Sequence, residues 1–281
     1  LSQPELLART YTSHVYKVRS AGETVVLKIL SDVGIADEAN GVHALQYFDG
    51  HGAIRLLRHD DGAMLLEYVD GGDLIPLVRA GKDDEATTII ADVLNELHLT
   101  RRKDLPGQLT PLRVRFRSLF AKADEDASLG DASLFVRGAA VAEDLLCSAG
   151  PDHVLHGDMH HENVRWHKDR KWLAFDPKGL VGDRAYDAAN AICQTGSKLG
   201  ITLDRDILLR RADVMSEVMK IDRDRLLSYV FVHSCLSACW SVEDGQDPSE
   251  SLVSAAMSEH IAGNKILPLT HGKGRPAQQG G

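Results

Sequence analysis

The chain has 281 residues, room for one large domain or two modest lobes, and its 43% hydrophobic content is ordinary for a protein with a buried core. Its 32 basic and 41 acidic side chains give a formal charge of −9, which disfavours nonspecific binding to nucleic acid or an anionic membrane. No apolar run reaches the roughly eighteen residues of a membrane span, and no basic stretch leads into an apolar core at the start, so neither a span nor a signal peptide is expected.

The cysteines, Cys147, Cys193, Cys235 and Cys239, lack CxxC spacing, which predicts reduced thiols and a cytoplasmic location. A chain that begins at Leu1 is expected to lack a few native residues. The mild acidity is accounted for by solubility alone, although a small cationic ligand would suit the same field.

In chain order, residues 14–19 and 24–30 are β-rich runs separated by Ser20-Ala21-Gly22-Glu23, which predicts a hairpin. Helical spacing follows over 35–48, with Asp32 as its cap, and a second hairpin over 53–58 and 63–69 turns at His59-Asp60-Asp61-Gly62. After Asp70-Gly71-Gly72, read as a hinge, the pattern becomes helical at 73–79, 84–99, 112–123 and 133–148. Two short strands, 164–167 and 172–175, interrupt the helices, which resume at 185–194, 206–220, 224–242 and 249–262. The expected architecture is an α+β, two-lobed fold: an antiparallel-sheet lobe over 1–69, a mainly helical lobe over 70–265, and a disordered tail over 266–281.

The strongest chemical signal is His156-Gly157-Asp158-Met159-His160-His161-Glu162-Asn163, followed by Trp172-Leu173-Ala174-Phe175-Asp176-Pro177. An Asp and an Asn five positions apart, then an Asp at a strand end, match the parts of phosphoryl transfer. One carboxylate deprotonates an alcohol, while an amide oxygen and a second carboxylate hold Mg2+ on the phosphates. Upstream, Val25-Val26-Leu27-Lys28-Ile29-Leu30 puts a lone cation in an apolar strand. Buried, such an ammonium needs an anion, a nucleotide phosphate or a helix glutamate such as Glu38; on an edge strand it would simply face water.

Five of the thirteen histidines fall within 153–167, but without H-E-x-x-H or C-x-x-C a zinc site is not favoured, and no G-x-x-x-x-G-K-[ST] phosphate loop occurs. Asp187, ahead of Ala188-Ala189-Asn190, reads as a structural carboxylate that caps a helix or braces the catalytic loop.

These segments resemble the aminoglycoside phosphotransferases, specifically the streptomycin 6-phosphotransferase group of aminoglycoside/hydroxyurea resistance kinases. Further matches are Tyr11-Thr12-Ser13-His14-Val15-Tyr16-Lys17-Val18, Met64-Leu65-Leu66-Glu67-Tyr68, Asp176-Pro177-Lys178-Gly179-Leu180-Val181-Gly182-Asp183 and Cys235-Leu236-Ser237-Ala238-Cys239-Trp240.

The resemblance implies a protein-kinase-like fold that binds ATP, with GTP not excluded, between its lobes. It makes Asp158 the catalytic base, Asn163 and Asp176 the magnesium ligands, and Lys28 the phosphate-binding lysine paired with Glu38. It gives Glu67 to Val69 the adenine-binding backbone and puts Ser13 in the loop over the phosphates. It also implies phosphorylation of streptomycin or a related aminoglycoside, a small cationic substrate for which Glu162, Asp183, Glu243 and Asp244 are the candidate carboxylates. The alternatives are another amino-alcohol, sugar or metabolite as acceptor, or a kinase-shaped binder without catalysis. The absence of G-x-G-x-x-G, D-F-G and A-P-E sequences separates the chain from regulated protein kinases, and neither a nucleic-acid nor a protein partner is implied.

Overall fold

The protein is seen in a computed structural model that describes residues 1–99, 104–195 and 199–262, with 36–38 as backbone only. Its N-terminal part is a five-stranded antiparallel sheet in the order β1-β2-β3-β5-β4. The strands are β1 (Ser2–Arg9), β2 (Ser13–Ser20), β3 (Glu23–Leu30), β4 (Leu56–Asp60) and β5 (Ala63–Glu67). Ala21 and Gly22, at φ of 50° and 89°, make the tight β2-β3 turn, as the sequence predicts. Lys28 lies opposite Val15 of β2 and Met64 of β5, so its strand is central and the edge-strand alternative fails.

Two features of this part depart from the sequence reading. β1 was not anticipated: all eight of its residues are exposed, so no inside-outside alternation marks it. The expected helix over 35–48 is broken into α1 (Asp32–Glu38) and α2 (Gly41–Phe48), and the cap is the Ser31 hydroxyl, which accepts from Gly34 N–H, rather than Asp32. The break has a steric cause. A Cβ on Gly41 would lie 2.2 Å from the Pro177 carbonyl oxygen, and one on Gly179 would lie 2.1 Å from that of Asn40. The two backbones cross there, and the helix yields at the crossing.

The rest of the chain is mainly helical: α3 (Ile75–Arg79), α4 (Asp83–Leu99), α5 (Leu112–Arg115), α6 (Arg117–Ser128), α7 (Leu134–Cys147), α8 (Ala185–Ile192), α9 (Arg205–Met219), α10 (Arg223–Glu243) and α11 (Ser249–Ala262). The helix expected over 112–123 is interrupted at Phe116, whose fully buried ring lies 5.5 Å from that of Tyr186. α10 is apolar around most of its circumference, as befits the central helix of this part, and packs against α6, α7, α8, α9 and α11. Among the described residues no helix is long and apolar enough to cross a membrane. The expected tail over 266–281 lies outside the described residues.

Three short strands, β6 (Thr110–Pro111), β7 (His153–Leu155) and β10 (Leu180–Gly182), form a small sheet that frames the His156–Asn163 segment. Beside it β8 (Val164–His167) pairs with β9 (Lys171–Ala174) as a hairpin. The Gly71-Gly72 link is tied down: Trp166 N–H donates to Gly72 O at 3.1 Å, and Leu74 N–H to His161 O at 3.2 Å. These bonds anchor the crossover on the chemical segment, where the glycine pair alone suggested a hinge.

Candidate active site

The site forms where β3, the turn after β7 and the end of β9 meet. The carbonyl of Asn163 accepts from Phe175 N–H at 3.0 Å, which joins the turn to the strand that leads to Asp176. The Asn163 amide donates from Nδ2 to the Asp158 carbonyl at 2.9 Å, leaving Oδ1 as the acceptor end of that side chain. Asp176, at φ of 65°, turns back so that its Oδ1 meets the ammonium of Lys28, a residue only 3% exposed. Residues 148 positions apart are thus joined by an ion pair.

The turn that carries Asp158 is held from behind. Gly157 has φ of 80°, and a Cβ there would sit 2.6 Å from Leu180 Cγ, so both conformation and space require glycine. Fully buried Asp187 accepts from His156 N–H at 2.8 Å and Gly157 N–H at 2.7 Å, and its Oδ2 also lies 2.9 Å from His98 Nε2. Burial alone would raise this carboxyl, but the His98 hydrogen bond, the neighbouring His98 and His156, and the Gly157 amide hold it below the ordinary carboxylate value. His156 is buried and its pKa is lowered, chiefly by desolvation; its Nε2 donates to Phe175 O at 3.0 Å while Nδ1 accepts from Asp158 N–H at 3.2 Å. Of the two uses of Asp187 foreseen in the sequence, the structure shows bracing of the loop.

Around Asp158 stand Tyr186 and His233, both of which feel its charge, with Arg115 and Trp240 next to them. The Arg115 guanidinium stacks 4.2 Å above the Trp240 ring. Sequence reasoning missed Arg115, Tyr186 and His233, which lie on α5, α8 and α10 and share no local spacing that would mark them.

The other predicted residues fall as follows. Glu67 uses its carboxylate to bind Arg170 and, at 3.0 Å, Arg55 N–H, which ties the sheet to the β8-β9 hairpin, while its own N–H donates to Arg55 O at 2.9 Å and so is taken within the sheet. Val69 is buried just beyond β5. Ser13 is also buried, its hydroxyl 3.2 Å from that of Thr10 inside the β1-β2 turn. The side chain of Glu38 lies outside the described residues. Glu162 sits on a single 3-10 turn, His161–Asn163, between Asp158 and β8.

Asp183 accepts Arg225 Nε at 2.6 Å and Ala185 N–H at 2.9 Å, so its charge is matched within the fold by Arg225. Glu243 and Asp244 are exposed at the end of α10, past Trp240.

Burial makes the site acid-sensitive. His161 and His233 are each pushed down from 6.5 to about 4, first by desolvation and then by Arg211 and Arg115 respectively. Below the unfolded value of 6.5 the unfolded chain binds protons that these rings refuse in the folded state. Stability is therefore complete above that value and falls as pH drops towards 4, by about 1.4 kcal/mol per pH unit for each ring. Urea midpoints measured between pH 7.5 and 5 are expected to fall, and a flat profile would contradict this.

Residues 1–245 match the family described as aminoglycoside/hydroxyurea antibiotic resistance kinases. The chain belongs to this family. Over 251 residues it is 37% identical to streptomycin 3''-kinase of Klebsiella pneumoniae, covering 87% of this chain and 90% of that one. Over 222 residues it is 32% identical to streptomycin 6-kinase of Streptomyces griseus, covering 76% and 71%. The solved structure of an amicoumacin kinase in complex with AMP-PNP, Ca2+ and Ami is similar in fold, with a TM-score of 0.66 at 14% identity over 95% of this chain and 90% of the other. The fold is protein-kinase-like, and this family member is a phosphotransferase with an alcohol group as acceptor.

Proposed function

We propose that this kinase transfers the γ-phosphoryl group of ATP to a hydroxyl of streptomycin or a close relative, with Asp158 as the base. The observation that supports the proposal is a chain of contacts joining three separated segments: the Asn163 amide on the Asp158 carbonyl, Phe175 N–H on the Asn163 carbonyl, and Lys28 on Asp176. The substrate reading draws support from relatives named as streptomycin kinases and from a net charge of −9, which attracts a polycation.

The residues fit a magnesium ion. Asn163 Oδ1 and the Asp176 carboxylate are hard oxygen donors, of the type this ion prefers, and the Asn163 amide is already oriented by Asp158 O. When bound, the ion neutralises charge on the phosphates. Lys28, held against Asp176, supplies positive charge on the nucleotide side of the site. Asp158 accepts the proton of the acceptor hydroxyl as the new O–P bond forms and the bond to ADP breaks. Its carboxylate accepts no hydrogen bond among the described residues, which leaves it open to that hydroxyl.

Incubating the purified protein with streptomycin, ATP and Mg2+ is expected to add one phosphoryl mass to the antibiotic, and chelating the metal is expected to stop it. If another alcohol gains phosphate while streptomycin does not, the substrate reading is wrong and the kinase assignment stands.

A further inference from the structure

Beyond Asp158, between the end of α8, α10 and α11, lies a cavity of about 200 Å³ that the phosphoryl-transfer residues do not use. Its lining is almost wholly polar and includes His233, Ser234, Ser237, Ser251, Ser254 and, at the rim, Glu250. Pockets that take a whole drug-sized molecule measure roughly 300–1,000 Å³ and are mostly apolar, so this one suits a single hydrophilic ring.

His233 is 95% buried by its 5% exposure, its Nε2 lies 3.3 Å from Asn190 Nδ2, and its Nδ1 has no partner. Nδ1 is itself closed to solvent, so what His233 presents to the pocket is ring surface rather than a free N–H. The serine hydroxyls have weaker claims on one another: Ser237 Oγ lies 3.0 Å from Ser251 Oγ, and Cys193 Sγ lies 3.5 Å from Ser234 Oγ. At the rim, Glu250 Oε1 accepts from Thr195 at 2.6 Å, which fixes the carboxylate, and it is the only ionised group among the lining residues.

We propose that this pocket is the subsite that selects the acceptor: it holds a hydroxyl-bearing, cationic ring, with the serine hydroxyls meeting its oxygens and Glu250 pairing with the cation. The inference rests on the reading of Asp158 as the base for an aminoglycoside acceptor, and it moves the specificity carboxylate from Glu243 and Asp244 to Glu250. His233 links the two regions, since it lines the pocket and feels the charge of Asp158.

Steady-state kinetics of the full chain with Mg-ATP and streptomycin test it. Glu250→Gln removes the charge at an exposed position, and Ser251→Leu fills the pocket from a partly exposed one, so both variants are expected to fold. Each should raise KM for streptomycin by about tenfold while KM for ATP changes less than about twofold, and Glu250→Asp should recover part of the loss. Streptomycin KM unchanged in both Glu250→Gln and Ser251→Leu overturns the pocket assignment and leaves the Asp158 reading standing. A parent protein that phosphorylates no streptomycin overturns both.

Discussion

Asp158→Asn is expected to lower kcat by about 10²-fold or more while AMP-PNP affinity stays within about twofold of the parent. The substitution keeps the shape of the side chain and removes its basicity. The turn is held by backbone and neighbouring groups that the change does not touch: Asp187 on His156 and Gly157, and the Asn163 amide on the Asp158 carbonyl. The ion pair of Lys28 with Asp176 is likewise preserved, so the charges that face the nucleotide stay in place. A coupled assay for ADP release gives turnover, and calorimetry with AMP-PNP gives binding. Turnover near that of the parent would remove Asp158 from the chemistry, whereas joint loss of binding and turnover would mean that the side chain holds the cleft together.

The order of elements was largely legible because the periodicities are clean. Residues 164–167 were read as a strand and are one, and 249–262 were read as a helix and form one. What escaped was set by other parts of the chain. β1 has no buried face, so its pairing with β2 leaves no pattern in its own sequence. The break before Gly41 depends on Pro177 and Gly179, more than a hundred residues away. The short strands β6, β7 and β10 exist only because they meet. The same holds for the site. Local spacing pointed to Asp158, Asn163 and Asp176 as candidates, whereas the partner of Asp183 is Arg225, 42 positions away and beyond the reach of any local pattern.

Asp187→Ala should destabilise the fold by about 3–5 kcal/mol, because it removes a buried charge whose partners remain. Three groups lose their acceptor at once: His156 N–H, Gly157 N–H and the His98 ring, all in water-excluded surroundings. Asp187→Asn keeps one carbonyl oxygen for them and should cost less, about 1–3 kcal/mol. The position of the carboxylate makes the effect catalytic as well as structural, since the two amides belong to the residues immediately before Asp158. At a temperature where Asp187→Asn remains folded, its kcat should fall more than its KM for ATP rises, since the nucleotide-side pair of Lys28 and Asp176 is reached through β3 and β9. Urea denaturation with far-UV circular dichroism measures the first effect and steady-state kinetics the second. A helix-capping role alone would predict about 1 kcal/mol and unaltered turnover. That combination in Asp187→Ala would show that the catalytic turn holds its shape without the brace.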